Sequence, residues 1–395
     1  MKIRKGIIFL TTYFNEIEYK RFGVVELEKN GFEVEFWCLI KLIYPHVPPS
    51  DQSVNQEITK KCVFINTRQE YIKAVSEMNN DVLVISTVPY DISNYFIYRA
   101  LSTYHVKYSF ILCGPALPAV AEKKCYKNFK AYCQDKLRAP LFSRLAALFY
   151  RKLPCTWIGI DPAYIVLVAG NKGYSDQLPI NKSTLICPSH SRDYDLFLLE
   201  NKKEWVNDDS LCVFLDTNVP YHHDTLFTGE ERNIDPASYY SRLRDFFSYL
   251  EEKYNYHIVI AAHPTSDYVR HADCFGDREV IKWQTCALVR KSMLVLTHES
   301  TSISFAILYN KPMIFLTMNS FKGYATFSNI EKCATALKAA LINMDDYSRE
   351  LDIKSLMYVN SEIYNRYIDD YIKCPRSSDM SLWDNFSAQL KEQEV

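Results

Sequence analysis

At 395 residues the chain is too long for one ordinary core, and its length points to two domains. Hydrophobic residues make up 48% and charged residues 24%, the balance of a globular protein. The net charge of −1 gives no global argument for nucleic acid or an anionic membrane as partner, so a basic patch would have to be local. The twelve cysteines form no CxxC pair and no Cys/His zinc spacing. They are expected to be reduced thiols of a cytoplasmic protein, and neither a metal nor a cofactor is expected.

Met1–Lys5 has the charge of an export signal, but the apolar stretch behind it, Gly6–Leu10, is too short for one. Lys5–Thr12 therefore reads as a first strand. Glu16–Asn30 has helical periodicity through Phe22, Val25 and Leu27, closed by Asn30-Gly31. Strands follow at Phe32–Leu42, Cys62–Asn66, Asp81–Val88, Lys107–Cys113, Tyr164–Ala169 and Thr184–Cys187, with helices predicted at Gln69–Met78 and Ile92–Ser102. Continuous Val/Ile/Leu strands between helices indicate a parallel sheet covered on both faces. No apolar run approaches the ~20 residues of a membrane span. Lys136–Leu153 is basic and amphipathic. It is either a cover for this sheet or a helix that lies on an anionic inner membrane as a peripheral contact.

The polar stretch Asn201–Asp209 marks the domain boundary. The alternation then restarts, with strands predicted at Leu211–Asp216, His257–Ala262, Val280–Trp283, Met293–Thr297 and Met313–Thr317. Helices are predicted at Pro236–Tyr254, Cys286–Ser292, Ser300–Tyr309 and Ile330–Leu341. The expected organisation is an N-terminal Rossmann-like domain over 1–200 and a C-terminal Rossmann-like domain over 201–345. A helical segment over 346–395 is expected to pack back on the first. In such α/β folds, with two doubly wound domains facing a cleft, ligands bind beyond the carboxyl ends of the strands.

Three constellations stand at those ends. His263-Pro264 follows the second strand of the C-terminal half. Its imidazole can donate to a phosphate oxygen, or it can be a strand-end histidine satisfied by backbone. Thr297-His298-Glu299-Ser300-Thr301-Ser302 lies between a strand and a helix, where backbone N–H groups and hydroxyls can hold phosphate or simply cap the helix. Asp216 ends a strand, as a general base for an acceptor hydroxyl or as an Asx-turn. His222, His223 and Asp224 follow it, read as acceptor or sugar contacts rather than as metal ligands. There is no Gly-x-Gly-x-x-Gly, no Walker A motif, no Gly-x-Ser-x-Gly elbow and no Asp-x-Asp, which argues against a dinucleotide oxidoreductase, a P-loop kinase, a serine hydrolase and a metal–diphosphate site.

An Asp at a strand end, then His-Pro, then a Ser/Thr pair resembles the metal-independent GT-B glycosyltransferases that use CMP-activated sugars, the bacterial sialyltransferases and Kdo transferases. Tyr19–Val24, Asn30–Val34, Asp193-Tyr194-Asp195, Phe214–Asp224, Thr297–Ala306 and Lys311–Ile314 also resemble bacterial surface-carbohydrate biosynthesis proteins. The resemblance implies a cytoplasmic glycosyltransferase of capsule, O-antigen or lipooligosaccharide synthesis. Its donor would be a nucleotide sugar, a CMP-linked nonulosonic acid or Kdo, and its acceptor a glycan or lipid-linked hydroxyl. It would place the donor phosphate on His263 and Ser300/Thr301 and the base at Asp216. Pro264, Glu299 and Ser302 are expected to complete the donor site, and His222, His223, Asp193 and Asp195 to contact sugar or acceptor. Thr217-Asn218 depart from that family, which has a second acidic residue and a glycine after the Asp. A nucleotide-sugar epimerase on the same fold and a non-catalytic assembly subunit are the alternative readings.

Overall fold

A computed structural model describes residues 2–48, 55–114, 150, 153–173, 177–221, 234–268, 272–324 and 327–393. The basic segment Lys136–Leu153, apart from its two residues Tyr150 and Leu153, lies outside these residues, as do His222, His223 and Asp224. The described residues divide into two compact units. One takes in the chain up to His190 and again from Arg376, and the other runs Ser191–Pro375.

The first unit is built on seven parallel strands: β1 (Lys5–Leu10), β2 (Glu33–Cys38), β3 (Cys62–Phe64), β4 (Val82–Ser86), β5 (Lys107–Leu112), β6 (Ile165–Ala169) and β7 (Leu185–Ser189). Their spatial order is β3-β2-β1-β4-β5-β6-β7. The central strands are apolar on both faces because helices cover both: β4 and β6 are buried at every position.

The second unit repeats the plan with β8 (Leu211–Leu215), β9 (His257–Ala261), β10 (Val280–Ile281), β11 (Leu294–Thr297), β12 (Met313–Thr317) and β13 (Ala340–Asn343). The order is β10-β9-β8-β11-β12-β13, again wholly parallel. The chain leaves β8 toward β9 on one side and returns to β11 on the other, so the topological switch point lies between β8 and β11. The amphipathic helix Pro236–Tyr254 starts on an Asp235 cap and buries Tyr239, Leu243, Phe246, Phe247 and Leu250.

Two of the differences from the sequence expectation have a tertiary reason. The helix expected over Glu16–Asn30 is broken into Glu16–Arg21 and Val24–Lys29. The break is Gly23, at φ 53. A Cβ there would lie 2.0 Å from Cδ1 of Trp383, a residue of the C-terminal helix Leu382–Glu392. The Trp383 indole donates to the Arg21 carbonyl at 3.1 Å, and Asn30 Nδ2 donates to Asp384 Oδ1 at 2.7 Å. The helix expected over Ile330–Leu341 ends at Leu337, with Lys338 left-handed at φ 52, and the chain continues into β13. Ala, Leu and Lys all favour helix, but pairing with the exposed edge of β12 outweighs that preference.

Two consecutive doubly wound parallel sheets, with the C-terminal helix packed on the first, have the topology of the GT-B class. Among the described residues no helix is long and apolar enough to cross a membrane, and the ten cysteines are all free.

Gly23→Ala forces a Cβ into the Trp383 ring and a left-handed conformation on alanine. Denaturant unfolding is expected to show a loss of about 2–4 kcal/mol. An unchanged midpoint would show that Gly23 does not key the C-terminal helix.

Candidate functional site

The three constellations occupy carboxyl ends of β8, β9 and β11, three adjacent strands that include both sides of the switch point. Asp216 follows β8 directly and is 4% exposed. Its Oδ1 accepts the Asn218 N–H at 2.7 Å. Its Oδ2 accepts the His263 N–H at 3.0 Å and the Tyr268 hydroxyl at 2.7 Å. Burial raises the carboxyl pKa above the usual carboxylate range, and the donors from His263, Tyr268 and Asn218 pull it part of the way back. Both oxygens are thus engaged with the loops after β8 and β9. The Asx-turn reading of Asp216 describes the Oδ1 bond, and Oδ2 adds a tie to the neighbouring strand that sequence spacing does not reveal.

His263 stands half-buried at the end of β9. Its Nδ1 lies 2.9 Å from Thr265 Oγ1 and accepts the Thr265 N–H at 3.3 Å. In the neutral ring the hydrogen is therefore on Nε2, the atom with donor character. Pro264 is exposed and starts the turn, which Ser266 closes by donating its N–H and its hydroxyl to the His263 carbonyl. Lys282 Nζ donates to the carbonyl of Ser266 and braces the same loop from the β10 side.

After β11 the helix expected from Ser300 begins only at Ile303 and has six residues, so the sequence places its start three residues early. Residues 298–302 turn instead. The amides of Ser302, Ile303, Ser304 and Phe305 are engaged within this turn, by Ser300 Oγ and by the carbonyls of Ser300, Thr301 and Ser302. The amides of Ser300 and Thr301 make no such bond. Thr301 is exposed and Ser300 half-buried, so these two residues, rather than Ser302, carry the available backbone donors. Glu299 Oε1 accepts from Asn329 Nδ2 at 3.1 Å.

His298 is placed away from solvent altogether, at 0% exposure. Its Nδ1–H donates to the Leu316 carbonyl at 2.7 Å, and its Nε2 accepts the Tyr239 hydroxyl at 3.0 Å. Burial lowers its pKa to about 4. It is a neutral strut between β11, β12 and the long helix.

Asp193 and Asp195 lie in the first turn of the helix Arg192–Glu200, which the sequence reading left unassigned. Asp193 Oδ2 accepts from the Ser304 hydroxyl, which joins this helix to the one that follows the 298–302 turn. Among the described residues no group of three His, Cys, Asp or Glu side chains is placed to hold a metal ion.

A further signal marks the switch point. Thr217 Oγ1, Asn218 Oδ1 and Thr297 Oγ1 are buried polar atoms with no hydrogen-bond partner among the described residues. They follow β8 and end β11. Buried polar atoms are nearly always paired, so these three make the two adjacent strand ends a candidate place for a polar ligand. Sequence reasoning noted Thr217-Asn218 only as a departure from the family pattern and gave them no role in the site. Asn218 is left-handed at φ 51, and nothing in the linear pattern announces that.

No protein-family model matches the chain, and no curated protein matches it in sequence. Among solved structures it is similar to CalG4, the calicheamicin glycosyltransferase, at 12% identity over 100% of this chain and 98% of that one, with a TM-score of 0.49. It is similar to the glycosyltransferase SnogD from Streptomyces nogalater at 10% identity, over 99% and 100%, with a TM-score of 0.47. A UDP-GlcNAc 2-epimerase from Neisseria meningitidis, bound to UDP-GlcNAc, is similar at 12% identity over 100% and 99%, with a TM-score of 0.46.

The buried His298 gives a pH prediction. A folded pKa of about 4 against the ordinary 6.5 means that protonation favours the unfolded chain. The stability this group contributes is present above pH 6.5 and lost as pH falls through 4, by about 3 kcal/mol in all. Denaturant midpoints measured from pH 7 to 4 should fall in wild type and fall less in His298→Gln. Identical slopes in the two proteins would count against a neutral, buried His298.

Proposed function

We propose that the protein is a glycosyltransferase that binds a nucleotide-sugar donor at the carboxyl ends of β8, β9 and β11. The observation that carries the reading is the placement of Asp216, His263 and the Ser300–Thr301 turn on adjacent strand ends at the switch point of a doubly wound sheet, with three buried polar atoms that have no partner among the described residues. In this reading His263 Nε2–H and the amides of Ser300 and Thr301 donate to the donor's phosphate oxygens. They stabilise the charge that develops there as the bond to the anomeric carbon breaks. The acceptor hydroxyl attacks that carbon as the bond to the phosphate oxygen breaks, and its proton passes to the departing nucleotide phosphate. The order Asp216, His-Pro, Ser/Thr resembles that of CMP-sugar transferases, and on that resemblance the donor we propose is a CMP-linked nonulosonic acid or Kdo. A glycan or lipid-linked acceptor of surface-polysaccharide assembly completes the proposal. Release of free nucleotide only when an acceptor is present separates this activity from a 2-epimerase.

Asp216 enters this reading as an anchor, because its two oxygens hold the backbone of both loops. The role differs from that of a general base, and one substitution separates them. Asparagine keeps one acceptor oxygen and faces at least one N–H with an NH₂ group. As an anchor, Asp216→Asn weakens donor binding and turnover together. As a base, it leaves donor affinity at the wild-type value and lowers turnover by about 10²–10⁴. His263→Ala is expected to lower kcat by about 10²–10³, the loss of one donor to a developing oxyanion. Calorimetric donor binding and initial rates on the same purified variants check both. Wild-type turnover in a folded His263→Ala protein would remove His263 from the site.

A further inference from the structure

The loop after β9 runs from His263 to Tyr268, and one oxygen holds both of its ends. Asp216 Oδ2 accepts the His263 N–H at 3.0 Å and the Tyr268 hydroxyl at 2.7 Å. Between those ends the loop is tied through backbone carbonyls. Ser266 donates its N–H and its hydroxyl to the His263 carbonyl, and Lys282 Nζ donates to the Ser266 carbonyl. The inner bonds do not depend on the charge of Asp216, and the two outer ones do. Asp216 is buried, so its charge rests on its donors: the backbone amides of His263 and Asn218 and the hydroxyl of Tyr268. Tyr268 is the one side chain among the three. Its ring is half-buried and meets the buried Phe275 edge-on at 5.1 Å, a contact that a phenyl ring would keep.

From this geometry we propose that Tyr268 is a positioning residue for the phosphate site, acting through Asp216 to close the His263–Tyr268 loop. The inference rests on the nucleotide-sugar reading of the same strand ends and adds a proton-dependent latch to it. A proton on Oδ2 turns that oxygen into a hydroxyl, which donates to the Tyr268 oxygen. The Tyr268 O–H then turns to the hydroxyl of Tyr240, buried beside it. The His263 amide can only donate, so it loses its charged acceptor, and the imidazole loses its hold. The other groups that face Asp216 are Lys282 beyond β10, Tyr239 and Tyr240 on the long helix, and Cys274 in the turn Ala272–Phe275. The lysine favours the carboxylate. Burial raises the two tyrosines and the cysteine, which stay neutral, and His298 on the β11 side is neutral above about pH 4. Burial also raises the Asp216 carboxyl, and removing the Tyr268 donor raises it further. Nucleotide affinity is therefore full above the Asp216 pKa, falls as pH drops through it, and falls at higher pH in Tyr268→Phe.

The test measures affinity by calorimetry on the full chain from pH 8 to 5.5. The probes are CMP methyl ester and UDP-GlcNAc, whose esterified phosphates do not titrate in this range. The His263 imidazole is common to wild type and Tyr268→Phe, so its own protonation cancels in the comparison. The fall in Tyr268→Phe should come about 1 pH unit higher than in wild type, the effect of one donor to a charged group, so its deficit grows from about 2-fold at pH 8 to about 10-fold at pH 6. In an Asp216→Asn background the same substitution should add no pH dependence, because no carboxylate is left to hold. A deficit equal at every pH would make Tyr268 a packing residue and overturn the latch, while the nucleotide-sugar reading stands. So would a further pH-dependent loss in the double variant, or a Tyr268→Phe chain that does not fold by circular dichroism. Wild type that binds neither probe would overturn both.

Discussion

The Asp216 carboxylate is the fixed point of the second unit's candidate site. One side chain, buried at the end of β8, holds the Asn218 amide on one oxygen and the His263 amide and Tyr268 hydroxyl on the other. A buried carboxylate is tolerated only when its oxygens are saturated by donors, and here two of those donors are backbone amides of the loops that form the candidate site. The loop after β9 is thereby held to the loop after β8, and the imidazole of His263 is carried with it.

The same logic runs outward from that point. On one side, Lys282 secures the His263–Ser266 loop from β10. On the other, His298 is fixed between Leu316 and Tyr239, so that the chain leaving β11 turns at Glu299–Ser302 before the helix begins. Rigid strands hold the polar groups, and the chemistry is left to short loops. This is the general arrangement by which doubly wound sheets support many activities. The first unit depends on a separate key: Trp383 of the C-terminal helix fills the space over Gly23.

The strands were legible because continuous apolar runs bounded by polar turns have few other readings, and Asp216, His263 and Ser300 stand at strand ends for the same reason. What the sequence concealed has a non-local cause in each case. Gly23 breaks a helix because of a tryptophan 360 positions along the chain. Residues 340–343 are a strand because β12 offers them an edge, although Ala and Leu favour helix. His298 looks like an active-site histidine in the string Thr297–Ser302 and is instead wholly buried, a distinction set by the packing of Tyr239 and Phe321 around it.

The central claim is that nucleotide binds on the strand ends of the second unit. Amide hydrogen exchange followed by mass spectrometry, with and without saturating CMP or UDP, tests it most directly. The account predicts slowed exchange at His263–Ser266 and at Ser300–Thr301, with the strand ends of the first unit unaffected. Protection confined to the first unit, or none at these two segments while nucleotide is demonstrably bound, would contradict it.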